Sequence, residues 1–124
     1  MIKKMRISTL SLVCIACIPS PLFAHAALVK SVPGSRAVID KMPPQVELCF
    51  NEEVDLKFST FSISDTAGKH APLGPIKLGR DARCLSAKSG ALAKGTYQLN
   101  YHVLSKDGHI VKYGLQFTIR ADSK

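Results

Sequence analysis

A chain of 124 residues has room for one domain, and its 46% hydrophobic content is enough for a globular core. Seventeen Lys+Arg against nine Asp+Glu give a net charge of +8. The basic residues form no stripe with interleaved aromatics, which argues against nucleic acid as a partner.

The first residues differ from the rest. Lys3, Lys4 and Arg6 precede an uncharged apolar run from Ile7 to Ile18, and Pro19-Ser20-Pro21 then ends it. Small residues follow at Ala24, Ala26 and Ala27. This order is that of a cleaved secretory signal peptide. The run is too short to cross a hydrocarbon core roughly 30 Å thick as a helix. Cleavage fits after Ala24, and also after Ala26, where Ala24-His25-Ala26 obeys the small-x-small rule better. Lipoprotein processing at Cys17 fits poorly, because Cys14 stands where an aliphatic residue is wanted. We expect residues 1–24 to be the signal and residues 25–124 the exported, periplasmic domain, with His25 first. Loss of Lys3, Lys4 and Arg6 from the seventeen basic residues leaves fourteen against nine acidic ones, a net +5.

Export also removes Cys14 and Cys17 and leaves Cys49 and Cys84. Two cysteines in an oxidising compartment have one way to pair, so a Cys49–Cys84 disulfide is expected. Alternation favours the rival reading of two unpaired thiols, since Val46, Leu48 and Phe50 share one face and Cys49 falls on the other.

Beyond the signal, short strand-like runs alternate with turn residues. Leu28-Val29 begins a run that Pro33-Gly34 stops, and Pro43-Pro44 closes the next segment. Gln45 to Asn51 alternates, as do Phe61 and Ile63, before a turn at Ala67-Gly68. Pro72, Gly74 and Pro75 loosen the middle, and Arg83 to Lys88 fits a short strand. Tyr97, Leu99, Tyr101 and Val103 form the first long alternating run, and Val111, Tyr113, Leu115, Phe117 and Ile119 the second. Period-two patterns of this kind mark half-buried strands. No segment after residue 25 carries a 3.6-residue apolar stripe, so the expected fold is an all-β sandwich or barrel.

Four histidines remain in the exported chain: His25, His70, His102 and His109. His102 falls on the polar face of its strand beside Gln98 and Asn100, and reads as a solvated surface residue. His70 lies in a Gly/Pro-rich loop. His109 closes Ser105-Lys106-Asp107-Gly108-His109. Asp-Gly between two alternating strands is a favoured hairpin turn, and the motif needs no other explanation. In extended backbone, however, Asp107 and His109 would also project to the same side. As a first residue, His25 offers its α-amino nitrogen and its ring Nδ1 to one metal. With His109 and Asp107 this makes a nitrogen and oxygen set suited to tetragonal Cu(II), whereas Zn(II) prefers a tetrahedron.

Several segments taken in order resemble the CopC/PcoC family of periplasmic copper-resistance proteins. They are His25-Ala-Ala-Leu28 with Ser31-Val-Pro33, Val46-Glu-Leu-Cys-Phe-Asn-Glu52, Leu92-Ala-Lys-Gly-Thr-Tyr97 and Val103-Leu-Ser-Lys-Asp-Gly-His109. The resemblance covers residues 25–120. It implies a Greek-key, immunoglobulin-like β-sandwich binding one Cu(II) per chain. By position the ligands would be His25, Asp107 and His109, with Glu52 coordinating or orienting the site. It further implies a copper carrier or buffer that supplies an inner-membrane copper transport protein. Several family members also carry a methionine-rich Cu(I) loop. Here Met42 is the only methionine beyond the signal, so a thioether site is not expected. Two other readings are a histidine-brace copper monooxygenase and a metal-free structural sandwich. The first is disfavoured by the small domain, the 6% aromatic content and the lack of Trp.

Overall fold

Wherever apolar and polar residues alternate, the chain runs as strand. The computed structural model describes residues 3–4, 15–17 and 26–120. Its strands are β1 (Leu28–Val32), β2 (Val38–Ile39), β3 (Gln45–Phe50), β4 (Thr60–Asp65), β5 (Lys77–Leu78), β6 (Cys84–Lys88), β7 (Gly95–Leu104) and β8 (Ile110–Ile119). A 3-10 turn at Leu56–Phe58 interrupts the passage from β3 to β4. One sheet has the order β1-β3-β6-β5 and the other β2-β8-β7-β4. The chain crosses between sheets after β1, β2, β3, β4 and β6, which gives the Greek-key, immunoglobulin-like sandwich that the sequence suggests. The expected cut between Ala24 and His25 lies outside the described residues, as does His25 itself.

The inward positions of each strand meet in one core. Val46, Leu48, Phe50, Leu85 and Ala87 come from the first sheet, and Phe61, Ile63, Tyr97, Leu99, Val103 and Phe117 are among those from the second. Phe50 meets Tyr101 edge to face at 5.4 Å between ring centroids, linking the sheets near one end. Such a pair contributes about 1 kcal/mol beyond its buried area. At the other end Tyr97 stacks on Phe117, and its hydroxyl donates to the carbonyl of Ala93 at 2.7 Å. That bond returns a strand-start tyrosine to the backbone just upstream, a corner typical of immunoglobulin-like sandwiches. Met42 is buried in the same core as a packing residue.

Three short elements have no counterpart in the alternation. β2 and β5 are two residues each, too short to display a period, and the Leu56–Phe58 turn depends on a local cap. Asp55 supplies that cap by accepting from the backbone N–H of Lys57 at 2.9 Å.

Cys49 faces away from the core, as alternation requires, yet it is bonded to Cys84. The antiparallel register explains why both statements hold. β3 and β6 pair with Cys49 directly opposite Cys84, and directly opposed residues face the same side of a sheet. The bridge therefore staples two neighbouring strands on their outer face and closes a separation of 35 residues. We predict that the exported protein, denatured without reductant, shows no thiol to a free-thiol reagent. Two reactive thiols in that assay would refute the pairing. Replacing both cysteines with Ala should lower stability by about 3 kcal/mol in a denaturant titration, since a loop of this length loses substantial closure entropy.

Candidate metal centre

The β7–β8 pairing runs to Leu104 opposite Ile110, and Ser105 to His109 make the connection. Ser105 N–H donates to the His109 carbonyl, and Gly108 N–H to the Ser105 carbonyl, both at 2.9 Å. Gly108 has φ +91°, a conformation that side-chain-bearing residues rarely adopt. Asp-Gly is thus the hairpin turn its residue types suggest. It also brings two candidate ligands together, though not through extended backbone. Asp107 folds back over the turn, and its Oδ1 accepts two hydrogen bonds and lies close to an imidazole nitrogen. The donors are the Ser105 hydroxyl and the His109 backbone N–H at 3.1 Å, and the His109 Nδ1 stands 3.1 Å from the same oxygen. Both side chains remain about two-fifths exposed, so the pair is reachable from solvent.

Hydrogen bonding to Ser105 is the main reason that the Asp107 carboxyl titrates far below its usual range, at about 2. Partial burial opposes this shift, and the His109 backbone and ring add to it. Asp107 is therefore an anion at every pH of physiological interest.

Two further segments arrive at the same end of the sandwich. Ala26 is 1% exposed and belongs to the core, and Ala27 is held by Asn51 on both of its backbone groups. Ala26, Ala27 and Leu28 line an open cleft with Tyr101, Ile110 and Val111. Ala26 to Leu28 thus face the first residues of β8, immediately after His109, across this cleft. The third segment carries Glu52, which is half-buried. Just beyond it the Glu53 carbonyl accepts from Lys106 N–H at 3.0 Å, and Val54 bridges to Ser105. Among the described residues Asp107 and His109 form a close pair, but no group of three or more His, Cys, Asp or Glu side chains is assembled to hold a metal ion.

The remaining histidines lie elsewhere. His70 is exposed and bridges Ser64, near the start of β7 and far from the hairpin. His102 is not the freely solvated residue its polar face suggests. It sits on β7 between Thr60 of β4 and Lys112 of β8, and its Nε2 is covered without a hydrogen-bond partner. A central strand shields even its outward residues. Sequence reasoning passed over Ser105 and Asn51. The signal for the first is a serine two residues before Asp107. The second closes a strand just before Glu52, where alternation says nothing about hydrogen bonding.

The carboxylate's low titration point lets the hairpin be tested. A carboxyl whose folded value is depressed contributes stability above its unfolded value of about 4, and loses it as pH falls toward 2. We predict that Ser105→Ala raises the Asp107 midpoint from about 2 toward the ordinary carboxylate range, read from the side-chain carboxyl carbon by NMR. An unmoved midpoint would show that the Ser105 hydroxyl does not hold the carboxylate.

This fold and end-of-sandwich arrangement can be set beside known proteins. The CopC domain family matches residues 28–120. The copper transport protein CutJ of Bacillus subtilis is 30% identical over 104 residues, which are 82% of this chain and 19% of that one. The chain thus spans about a fifth of CutJ's length. Copper resistance protein C of Xanthomonas campestris pv. juglandis is 28% identical over 105 residues, with 79% of this chain and 82% of that protein covered. The crystal structure of CopC from Methylosinus trichosporium OB3b superposes with a TM-score of 0.72 at 30% identity, covering 81% of this chain and 98% of that one. PcoC from Escherichia coli, a methionine-rich copper resistance protein, superposes at 0.69 with 24% identity, over 78% of this chain and all of PcoC, a likeness of fold. With a family match that extends from the first strand to the residue after the last, the chain belongs to the CopC domain family.

Proposed function

We propose that this chain is a periplasmic protein that binds one Cu(II) ion as a carrier or buffer in copper resistance and homeostasis. The exported form begins at His25, whose amine and ring nitrogen join His109 and Asp107 around the ion, with Glu52 as a further ligand or an orienting group. The observation that carries this reading is the Asp107–His109 pair at 3.1 Å, exposed at the end where Ala26 to Leu28 share an open cleft with the start of β8. Two imidazoles, an amine and a carboxylate form a hard-to-borderline set that favours the divalent ion. A thioether alternative finds no support in Met42, which is packed in the core. The role is binding and not catalysis, and the natural recipient of the cargo is an inner-membrane copper transport protein.

The metal would be cargo, and this chain's residues would hold it at the sandwich edge. His109 would offer a ring nitrogen, while Asp107 keeps a fixed negative charge beside it at every working pH. Protein purified from the periplasm should start at His25 by mass spectrometry and take up one Cu(II) in a competitive chelator titration. His109→Ala should weaken Cu(II) at least tenfold. Asp107→Asn should weaken it less, because the shape of the turn is kept, and circular dichroism should show both variants folded. If His109→Ala binds as tightly as the parent, the Asp107-Gly108-His109 motif is a hairpin turn and nothing more.

A further inference from the structure

Asn51 stands where the first strand pair ends and the chain turns toward Glu52. In a regular antiparallel ladder, residues 27 and 51 would exchange two backbone hydrogen bonds. One of them is made, from Asn51 N–H to the Ala27 carbonyl at 3.0 Å. The other is replaced, because Ala27 N–H donates to Asn51 Oδ1 at 2.8 Å and not to the Asn51 backbone carbonyl. The register between β1 and β3 slips just inside this point, between Leu28 and Lys30, so the ladder alone holds the strand end poorly. The amide side chain completes the pair in place of the main chain. That substitution frees the Asn51 backbone to bend away, and the bend leads through Glu52 to the Glu53 and Val54 contacts with the hairpin.

We propose that Asn51 is the positioning residue of the amino-terminal copper ligand. This inference rests on the Cu(II) reading above. It clamps Ala27 at both backbone groups, Ala26 beside it is buried, and residue 25 therefore starts one peptide unit from a fixed point. Consecutive Cα atoms are about 3.8 Å apart, so the peptide that leads to residue 25 begins at that buried residue. Fixing Ala26 and Ala27 in advance lowers the conformational entropy lost when the ligand beyond them binds the metal. Asn51 touches no ion itself and acts wholly through Ala27.

Two variants of the protein exported to and purified from the periplasm test this. Asn51→Ala removes the side-chain acceptor. Asn51→Asp keeps an isosteric oxygen in the same place. Three measurements are taken: chelator competition for Cu(II), the electron paramagnetic resonance spectrum of the Cu(II) form, and amide hydrogen exchange of Ala27 in metal-free protein. Asn51→Ala should bind Cu(II) about tenfold more weakly and show a mixed Cu(II) spectrum. It should exchange the Ala27 amide at least tenfold faster, with exchange at Leu48 and Leu99 in the core unchanged. Asn51→Asp should restore all three. If Asn51→Ala speeds Ala27 exchange but leaves affinity and spectrum at parental values, the clamp exists and does not position the ligand, and the proposal is overturned. Unchanged Ala27 exchange overturns it too. A parent protein that binds no Cu(II) would instead bring down the copper reading, and this inference with it.

Discussion

The ten-residue antiparallel pairing of β7 with β8 governs the rest of the molecule. It is the longest ladder in the sandwich, running from Gly95 opposite Ile119 to Leu104 opposite Ile110. Its inward residues, Tyr97, Leu99, Tyr101, Val103, Val111, Leu115 and Phe117, make up most of the second sheet's share of the core. Side chains alternate with period two, so a slip of one residue would turn that whole set outward. The same register fixes where the strands stop, and hence where the Ser105–His109 turn begins. Core packing and site geometry are thus set by one choice of pairing. Gly114 adds a local restraint, because a side chain there would collide with Asn100 and Gln98 across the ladder.

The site is built at the edge of this pair by segments distant in sequence. Lys106 N–H reaches back to Glu53, Asp55 N–H reaches Leu104, and Asn51 takes hold of Ala27. All of these contacts involve backbone groups, and alternation of side chains carries no information about them. This is why the strands were legible in the sequence and the junctions were not. Gln45 to Asn51, Phe61 to Ile63 and the two long runs declared themselves through period two. β2, β5 and the Leu56–Phe58 turn are too short to do so. Asp107 and His109 were readable as a pair, but for a different geometric reason than the one that holds. They meet because a tight turn folds the carboxylate back onto its own loop, not because extended backbone aligns them.

Asp107 shows how an ordinary turn leaves a carboxylate and an imidazole side by side. A carboxylate that caps its own hairpin is common turn chemistry, and its role in the fold is complete with Ser105 and His109 as donors. The same bonds stabilise its charge, and the His109 ring lies beside it with Nδ1 3.1 Å from Oδ1. A histidine whose partner is already oriented presents its ring in a defined direction, the relation seen around many bound metals. The hairpin turn and the proposed ligand pair at Asp107-Gly108-His109 are therefore one arrangement described from two sides.

The cysteine bridge has a consequence for anyone preparing the protein. Cys49 and Cys84 lie opposed on an outer sheet face, with Cys84 only half-buried. In a chain made in a reducing cytosol, both would be thiols, and copper meeting them would encounter soft donors absent from the native surface. Two Cu(II) ions can each take one electron from the pair of thiols, which lose their two protons to solvent, forming the disulfide and leaving two Cu(I) ions. Copper counted on such material would record the history of its sulfur atoms as well as binding at the proposed hairpin site. The compartment in which the chain is oxidised is thus part of what defines the metal-binding molecule.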